Sequence, residues 1–187
     1  SFIITSVFVV IAGANPFDAF YNFLIVPLSS QVSALEVLVK ATPLILTGIA
    51  VTFAFTSGYF NIGAEGQLYA GAIVATWLGV NLPNLPAIAI LPLMILGGFL
   101  GGLLWALIPA LLKVYLKIDE VVTTLLMNSI IMYFVSYLLN DYWRNPQSGY
   151  PQSPDISQAA HFATLVPKSR LHVGFIMAIL IVADRKS

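Results

Sequence analysis

Three polar side chains, Asn61, Glu65 and Gln67, fall within residues 57–71, among four glycines and between two strongly apolar runs. Amides and a carboxylate have two uses in such surroundings. They can line a path for a polar solute or transmit the movement of a gate. Alternatively, they satisfy backbone groups that a broken helix leaves unpaired and tie its ends to neighbouring spans. Burying an ionised carboxylate there costs roughly 3 kcal/mol, partly offset by its partners. Thr124 and Asn128 invite the same pair of readings: they share a helix face at i,i+4 within another apolar run. An interhelical hydrogen bond is their structural use, and contact with a passing solute the functional one.

Catalytic chemistry is not among the options. No Lys follows a Gly, so a phosphate loop of the Walker kind is missing. His161 and His172, the two histidines, have no Cys partners and no ligand spacing, so no metal site is expected. Ser, His and Asp occur without the local order of a nucleophile elbow. The chain therefore reads as one without a catalytic residue, a metal or a cofactor of its own.

The elements that must hold these side chains are membrane helices. Of 187 residues, 59% are hydrophobic and 9% charged, far below the roughly 25% charged residues of soluble domains. Uncharged runs at 41–61, 78–112 and 121–140 reach the length of about 20 residues that a spanning helix needs. They are continuous, not alternating, which excludes a barrel. The expected architecture is all-α: a polytopic transmembrane helical bundle forming a single domain over 1–187, with about four full spans, two truncated ones and one helix break near residues 57–66. The runs at 2–14 and 173–183 are too short to cross, and the chain reads as a fragment of a longer integral membrane protein.

Along the chain, residues 14–22 mix turn formers with aromatics, as at a membrane interface. Residues 23–40 read as a connection carrying a Glu36/Lys40 pair at helical spacing. Thr42 followed by Pro43 predicts an N-cap and first helical position. Asn61 is the expected N-cap of the next span, 62–80, with Glu65 in its first turn near the positive end of the dipole. The run 87–112 contains Gly97, Gly98, Gly101 and Gly102, two overlapping small-xxx-small pairs that predict close helix packing. Lys113 and Lys117 close that run, and Asp119 and Glu120 open the following one, both in the sense the helix dipole favours. Residues 141–170, with four prolines, predict a sizeable extramembrane loop.

Net charge is zero, which offers nothing to nucleic acid. Alternating topology puts Lys113, Lys117, Arg185 and Lys186 on one side and Lys40, Arg144, Lys168 and Arg170 on the other. That balance leaves orientation open under the positive-inside rule.

Four local segments carry a resemblance. They are Ala-Thr-Pro-Leu-Ile-Leu-Thr-Gly at 41–48, Phe-Asn-Ile-Gly-Ala-Glu-Gly-Gln at 60–67, Asp-Glu-Val-Val-Thr-Thr-Leu-Leu-Met-Asn at 119–128 and Pro-Gln-Ser-Pro-Asp-Ile at 151–156. In order and spacing they resemble the permease subunits of bacterial ABC importers for nucleosides and simple sugars, related to branched-chain amino acid permeases. Asp119 stands where the nucleoside branch has Asn. The resemblance implies a multi-pass protein of the bacterial cytoplasmic (inner) membrane that works with a second permease subunit. Cytoplasmic ATP-binding subunits would hold the ATP, and an extracytoplasmic solute-binding lipoprotein would deliver the solute. It also implies that residues 113–120 face the cytoplasm and 141–170 the outside, with the ATPase-coupling loop beyond Ser187. Hydropathy alone leaves two other readings: an ion-coupled secondary transporter with a broken-helix site, or a membrane assembly subunit that transports nothing.

Overall fold

The computed structural model describes residues 2–145 and 149–184, so Pro146, Arg185 and Lys186 of the sequence reading lie outside the described residues. Among the described residues seven α-helices follow one another: α1 (Phe2–Ile11), α2 (Pro16–Leu24), α3 (Gln31–Thr56), α4 (Ala64–Asn81), α5 (Ala87–Leu116), α6 (Glu120–Asn140) and α7 (Gly174–Asp184). Short 3₁₀ turns occupy Val26–Leu28 and Gln158–Ala160. Among the described residues, extended pairing is confined to one antiparallel bridge, Thr164 with His172. Contacts divide the chain into residues 1–45 with 163–187, and residues 46–162.

In the first unit, the residues expected to form an irregular interface segment are helical. Asn15 accepts a hydrogen bond from the Phe17 N–H at 3.0 Å and Pro16 opens α2, an N-cap followed by proline at the first helical position. Together α1 and the stretch Pro16–Leu28 are apolar enough to cross a membrane, but they are bent by 118°. The N-cap predicted at Thr42 is also displaced. Helix α3 starts at Gln31, where Ser30 Oγ accepts from the Ser33 N–H at 3.1 Å, and Pro43 lies inside it. The Thr42 hydroxyl donates to the Leu38 carbonyl at 2.9 Å, the bond to the preceding turn that Ser and Thr side chains make inside helices. Glu36 pairs with the guanidinium of Arg170, Nε lying 3.0 Å from Oε1, and not with Lys40 as predicted. That carboxylate pushes the pKa of Arg170 up. Leu171, after the loop predicted at 141–170, is buried, and in the second unit so are Trp143 and Ala160 within that loop.

The second unit is organised by α4, α5 and α6. The run predicted to end at 112 continues for another turn: α5 extends to Leu116 and closes at Lys117, which adopts φ 54. Asp119 then caps α6, its carboxylate accepting from the Val122 N–H at 3.0 Å. Helices α4 and α5 run antiparallel in close contact. A β-carbon placed on Gly71 would sit 2.6 Å from the Gly98 carbonyl oxygen, and one on Gly101 would sit 3.0 Å from that of Ala70. Gly102 faces the Gln67 carbonyl and Gly97 the side chains of Leu78 and Val74.

Among the described residues, three helices are long and apolar enough to span a membrane: α3, α5 and α6. Only 6% of the apolar window of α3 or α5 is buried, against 28% for α6. Apolar surface facing outward along full-length helices is what a lipid environment requires. The protein is a multi-pass helical membrane protein, and α6 is the most enclosed of these three helices.

Candidate functional site

Seven residues, 57–63, cross from the end of α3 to the start of α4. Gly58 turns the chain at φ 78 with nothing near its missing side chain, so the demand there is conformational and not steric. The helix begins two residues later than predicted, and its N-cap is Gly63, which has no side chain to offer. The N–H of Gly66, third in the helix, therefore needs a partner from elsewhere. Asn128 of α6 supplies it: Oδ1 accepts from Gly66 at 2.9 Å, while Nδ2 donates to the Ile62 carbonyl at 3.0 Å. One amide thus satisfies both sides of the junction between crossover and helix. Asn128 lies eight residues after Glu120, about 12 Å along α6 at 1.5 Å per residue. The junction lies two turns along α6 from its start and is half-buried, Gly63 and Gly66 being enclosed while Ile62 stays exposed.

Asn61, 9% exposed, does not cap α4 in the expected way. Its Oδ1 accepts from the Gly63 N–H at 2.8 Å and from Gln67 Nε2 at 3.2 Å, and its Nδ2 donates to Gln67 Oε1 at 3.2 Å. The two side chains pair reciprocally, across the start of the helix, because six residues and an intervening turn bring them face to face. Thr124 is fully buried beside them. A β-carbon on Gly63 would lie 3.0 Å from Thr124 Cβ, but the Thr124 hydroxyl donates to the Glu120 carbonyl of its own helix at 2.7 Å.

Glu65 is placed otherwise. It lies in the first turn of α4 but is exposed, and it forms no hydrogen bond or ion pair among the described residues. The four sequence-identified residues Asn61, Gln67, Thr124 and Asn128 come together, and Glu65 stands at the edge of the cluster.

A second, charged layer was not identified in the sequence. Lys113 of α5 forms an ion pair with Glu120 of α6, whose side chain is only 10% exposed. Each partner also touches the crossover: Lys113 Nζ lies 5.3 Å from the centre of the Tyr59 ring, and Glu120 Oε1 accepts from the Phe60 N–H at 3.4 Å. The available signal was a Lys and a Glu flanking a short connector, each of which also has an ordinary dipole role. Two buried donors near these layers, the Tyr59 hydroxyl and Trp105 Nε1, have no hydrogen-bond partner among the described residues.

Neutral amides and backbone groups can bind and reposition by hydrogen bonding, and the layer contains no nucleophile with an adjacent base. Among the described residues no three His, Asp or Glu side chains gather as a metal site. A cavity of about 480 Å³ lies beside Gln67, with Leu68, Leu91, Phe99 and Phe162 on its walls. Its size is in the range of small-molecule pockets, but Gln67 is the polar side chain among apolar walls, too few donors and acceptors to recognise a sugar alone.

Comparison with known proteins gives this geometry a family. The glucose ABC transporter permease protein TsgB13 of Haloferax volcanii is 39% identical over 177 residues, covering 89% of this chain and 46% of that protein. The nucleoside ABC transporter permease protein NupB of Lactococcus lactis is 30% identical over 187 residues, covering 96% and 51%. The guanosine ABC transporter permease protein NupP of Bacillus subtilis is 37% identical over 153 residues, covering 78% and 42%. The chain thus spans about half the length of the curated relatives it matches. No solved structure matches it. The family described as branched-chain amino acid transport system / permease component matches residues 33–183, a stretch that contains the whole crossover and its α5 and α6 supports, and the chain belongs to that family.

Proposed function

We propose that this chain is part of the permease of an ATP-driven ABC importer for nucleosides or simple sugars. The family match over 33–183 carries the reading, supported by relatives named for glucose, nucleoside and guanosine transport. Its share of the work is the translocation path, while ATP is bound and hydrolysed by cytoplasmic partner subunits. A second permease subunit completes the path, and an extracytoplasmic solute-binding lipoprotein delivers the solute. In this reading the protein sits in the bacterial cytoplasmic membrane with α4 as a fourth crossing. The end carrying Lys113 and Glu120 faces the cytoplasm, and residues 141–170 face outward. Asn61, Gln67, Thr124 and Asn128 form the gate region, with Glu65 at its rim. The glycines Gly71, Gly98, Gly101 and Gly102 keep α4 and α5 close enough to move together.

The test is uptake of labelled guanosine and glucose by cells expressing the full-length protein with its transporter subunits. Saturable uptake of one of them should persist when an uncoupler collapses the proton gradient and ATP is maintained. Loss of uptake under that condition identifies an ion-coupled carrier instead. An assembled complex that takes up neither solute, nor any other nucleoside or sugar, identifies an assembly subunit.

A further inference from the structure

The charged layer is placed to do more than join two helices. We propose that Lys113 and Glu120 are positioning residues that latch the α3–α4 crossover onto the α5–α6 turn, so that the turn and the amide layer move as one body.

Three observations carry this. First, the pair spans the connector between α5 and α6, and that connector has a defined shape: Lys117 closes α5 in the left-handed region at φ 54 and Asp119 caps α6. Second, each charge makes a separate contact to the crossover, the ammonium over the Tyr59 ring at 5.3 Å and the carboxylate toward the Phe60 N–H at 3.4 Å. The crossover is therefore gripped at two successive residues from both helices. Third, Tyr59 and Phe60 immediately precede Asn61, whose side chain holds Gly63 and Gln67. No flexible segment separates the charged layer from the amide layer. A displacement of the turn must either carry Asn61 with it or break the latch.

The chemistry of the two contacts separates a latch from an ordinary ion pair. An aromatic face attracts a cation and repels an anion, and a backbone N–H needs an acceptor, which an ammonium lacks. Exchanging the charges preserves their mutual attraction but removes both grips on the crossover. Replacing Lys113 by Arg preserves all of them.

This inference rests on the proposed importer reading for its consequence, but its structural part is measured without transport. In the full-length, assembled protein, Ala64→Cys reports on the junction, since Ala64 is 8% exposed and opens α4. Its rate of reaction with a small thiol reagent is compared in Glu120→Ala, in the exchange pair Lys113→Glu with Glu120→Lys, and in Lys113→Arg. We expect about a tenfold faster reaction in Glu120→Ala, full protection in Lys113→Arg, and an exchange pair that regains the thermal midpoint yet stays reactive. An exchange pair that regains protection as well overturns the latch, leaving a simple ion pair between helices. So does unchanged protection in Glu120→Ala. If Glu120→Ala fails to assemble, the exchange pair against Lys113→Arg decides alone, by protection at equal thermal midpoint. A third arm measures ATP hydrolysis and uptake in the exchange pair: hydrolysis that continues while uptake falls at least tenfold is expected, and equal uptake overturns the coupling. An unmodified protein that lacks ATP-driven uptake defeats the importer reading while leaving the labelling result in force.

Discussion

Helix α4 is held by two neighbours in opposite ways. Along its middle, α5 approaches through glycine: an added β-carbon at Gly71 meets backbone at 2.6 Å and nothing polar is exchanged between side chains. At its start, α6 approaches through Asn128, which both gives and takes a hydrogen bond. The glycine contact gains from close packing and has no second arrangement, because a backbone cannot rotate out of the way. The amide contact is made of bonds that another partner can replace at little net cost. Close backbone packing on one side and directional hydrogen bonds on the other hold the same helix by contacts that different substitutions break.

The largest effect tests the glycine side, and the structure sharpens which glycine matters. Gly71→Ala forces a methyl against the Gly98 carbonyl at 2.6 Å, whereas Gly98→Ala meets its nearest neighbour at 3.5 Å, ordinary contact distance. Gly71→Ala should lower the stability of the solubilised protein by about 2 kcal/mol, within the range for overpacking. Gly98→Ala should change it by less than about 0.5 kcal/mol, as typical of a substitution that meets no obstacle. The thermal midpoints of the two variants, measured side by side, check the ordering. Equal loss in both, or none in either, removes the claim that backbone contact fixes α4 to α5.

On the amide side the expected loss is smaller. Asn128→Ala leaves the Gly66 N–H without a partner, at roughly 1–2 kcal/mol for one unpaired buried donor, and adds little for the Ile62 carbonyl, whose bond is exposed. Asn128→Asp keeps the acceptor for Gly66 but gives up the donor to Ile62, so it should recover part of that loss. If Asp and Ala cost the same, the cap supplied from α6 is not what holds the start of α4. In the proposed importer the same two variants should also differ in uptake, because Asp keeps an acceptor for the Gly66 N–H in the first turn of α4 and Ala does not.

How much of this was legible in the sequence follows from the range of each interaction. The long apolar runs announce their own helices, since burial in lipid depends only on local composition. Asn61, Gln67, Thr124 and Asn128 stand out because polar groups are rare in such runs. Their partners do not stand out: Gly66 and Asn128 are separated by 62 positions, and no periodicity reports a contact of that range. The start of α3 misled for a local reason. Thr-Pro usually marks a helix start, but Ser30 offers an earlier cap and α3 continues through Pro43. Lys113 and Glu120 each had a sufficient explanation in the dipole of its own helix, which concealed that they face one another. Span counting met a similar limit at α4. Its 18 residues carry the polar start and the glycine face, so it lacks the continuous apolar character that marks α3, α5 and α6.

The smallest structural effect is expected at Glu65, which makes it the most informative about transport. It is one residue from Gly66 and two from Gln67, yet it is exposed and has no partner among the described residues. Its contribution to folding is limited to the favourable field at the start of α4, a few tenths of a kcal/mol at an exposed site. Glu65→Gln and Glu65→Ala should therefore both assemble normally, with thermal midpoints indistinguishable from the parent. If the charge takes part in gating of the proposed importer, both variants should lose ATP-dependent uptake while the proposed binding protein still binds solute. If hydrogen bonding in a moved state is what counts, Gln should retain uptake and Ala should lose it. A drop in assembled protein for Ala would mean that Glu65 acquires a structural partner in the full complex. Normal uptake in both would leave the amide layer to act alone. Assembly and uptake measured on the same preparations separate these outcomes, because among the described residues Glu65 has no attachment strong enough to produce a folding defect.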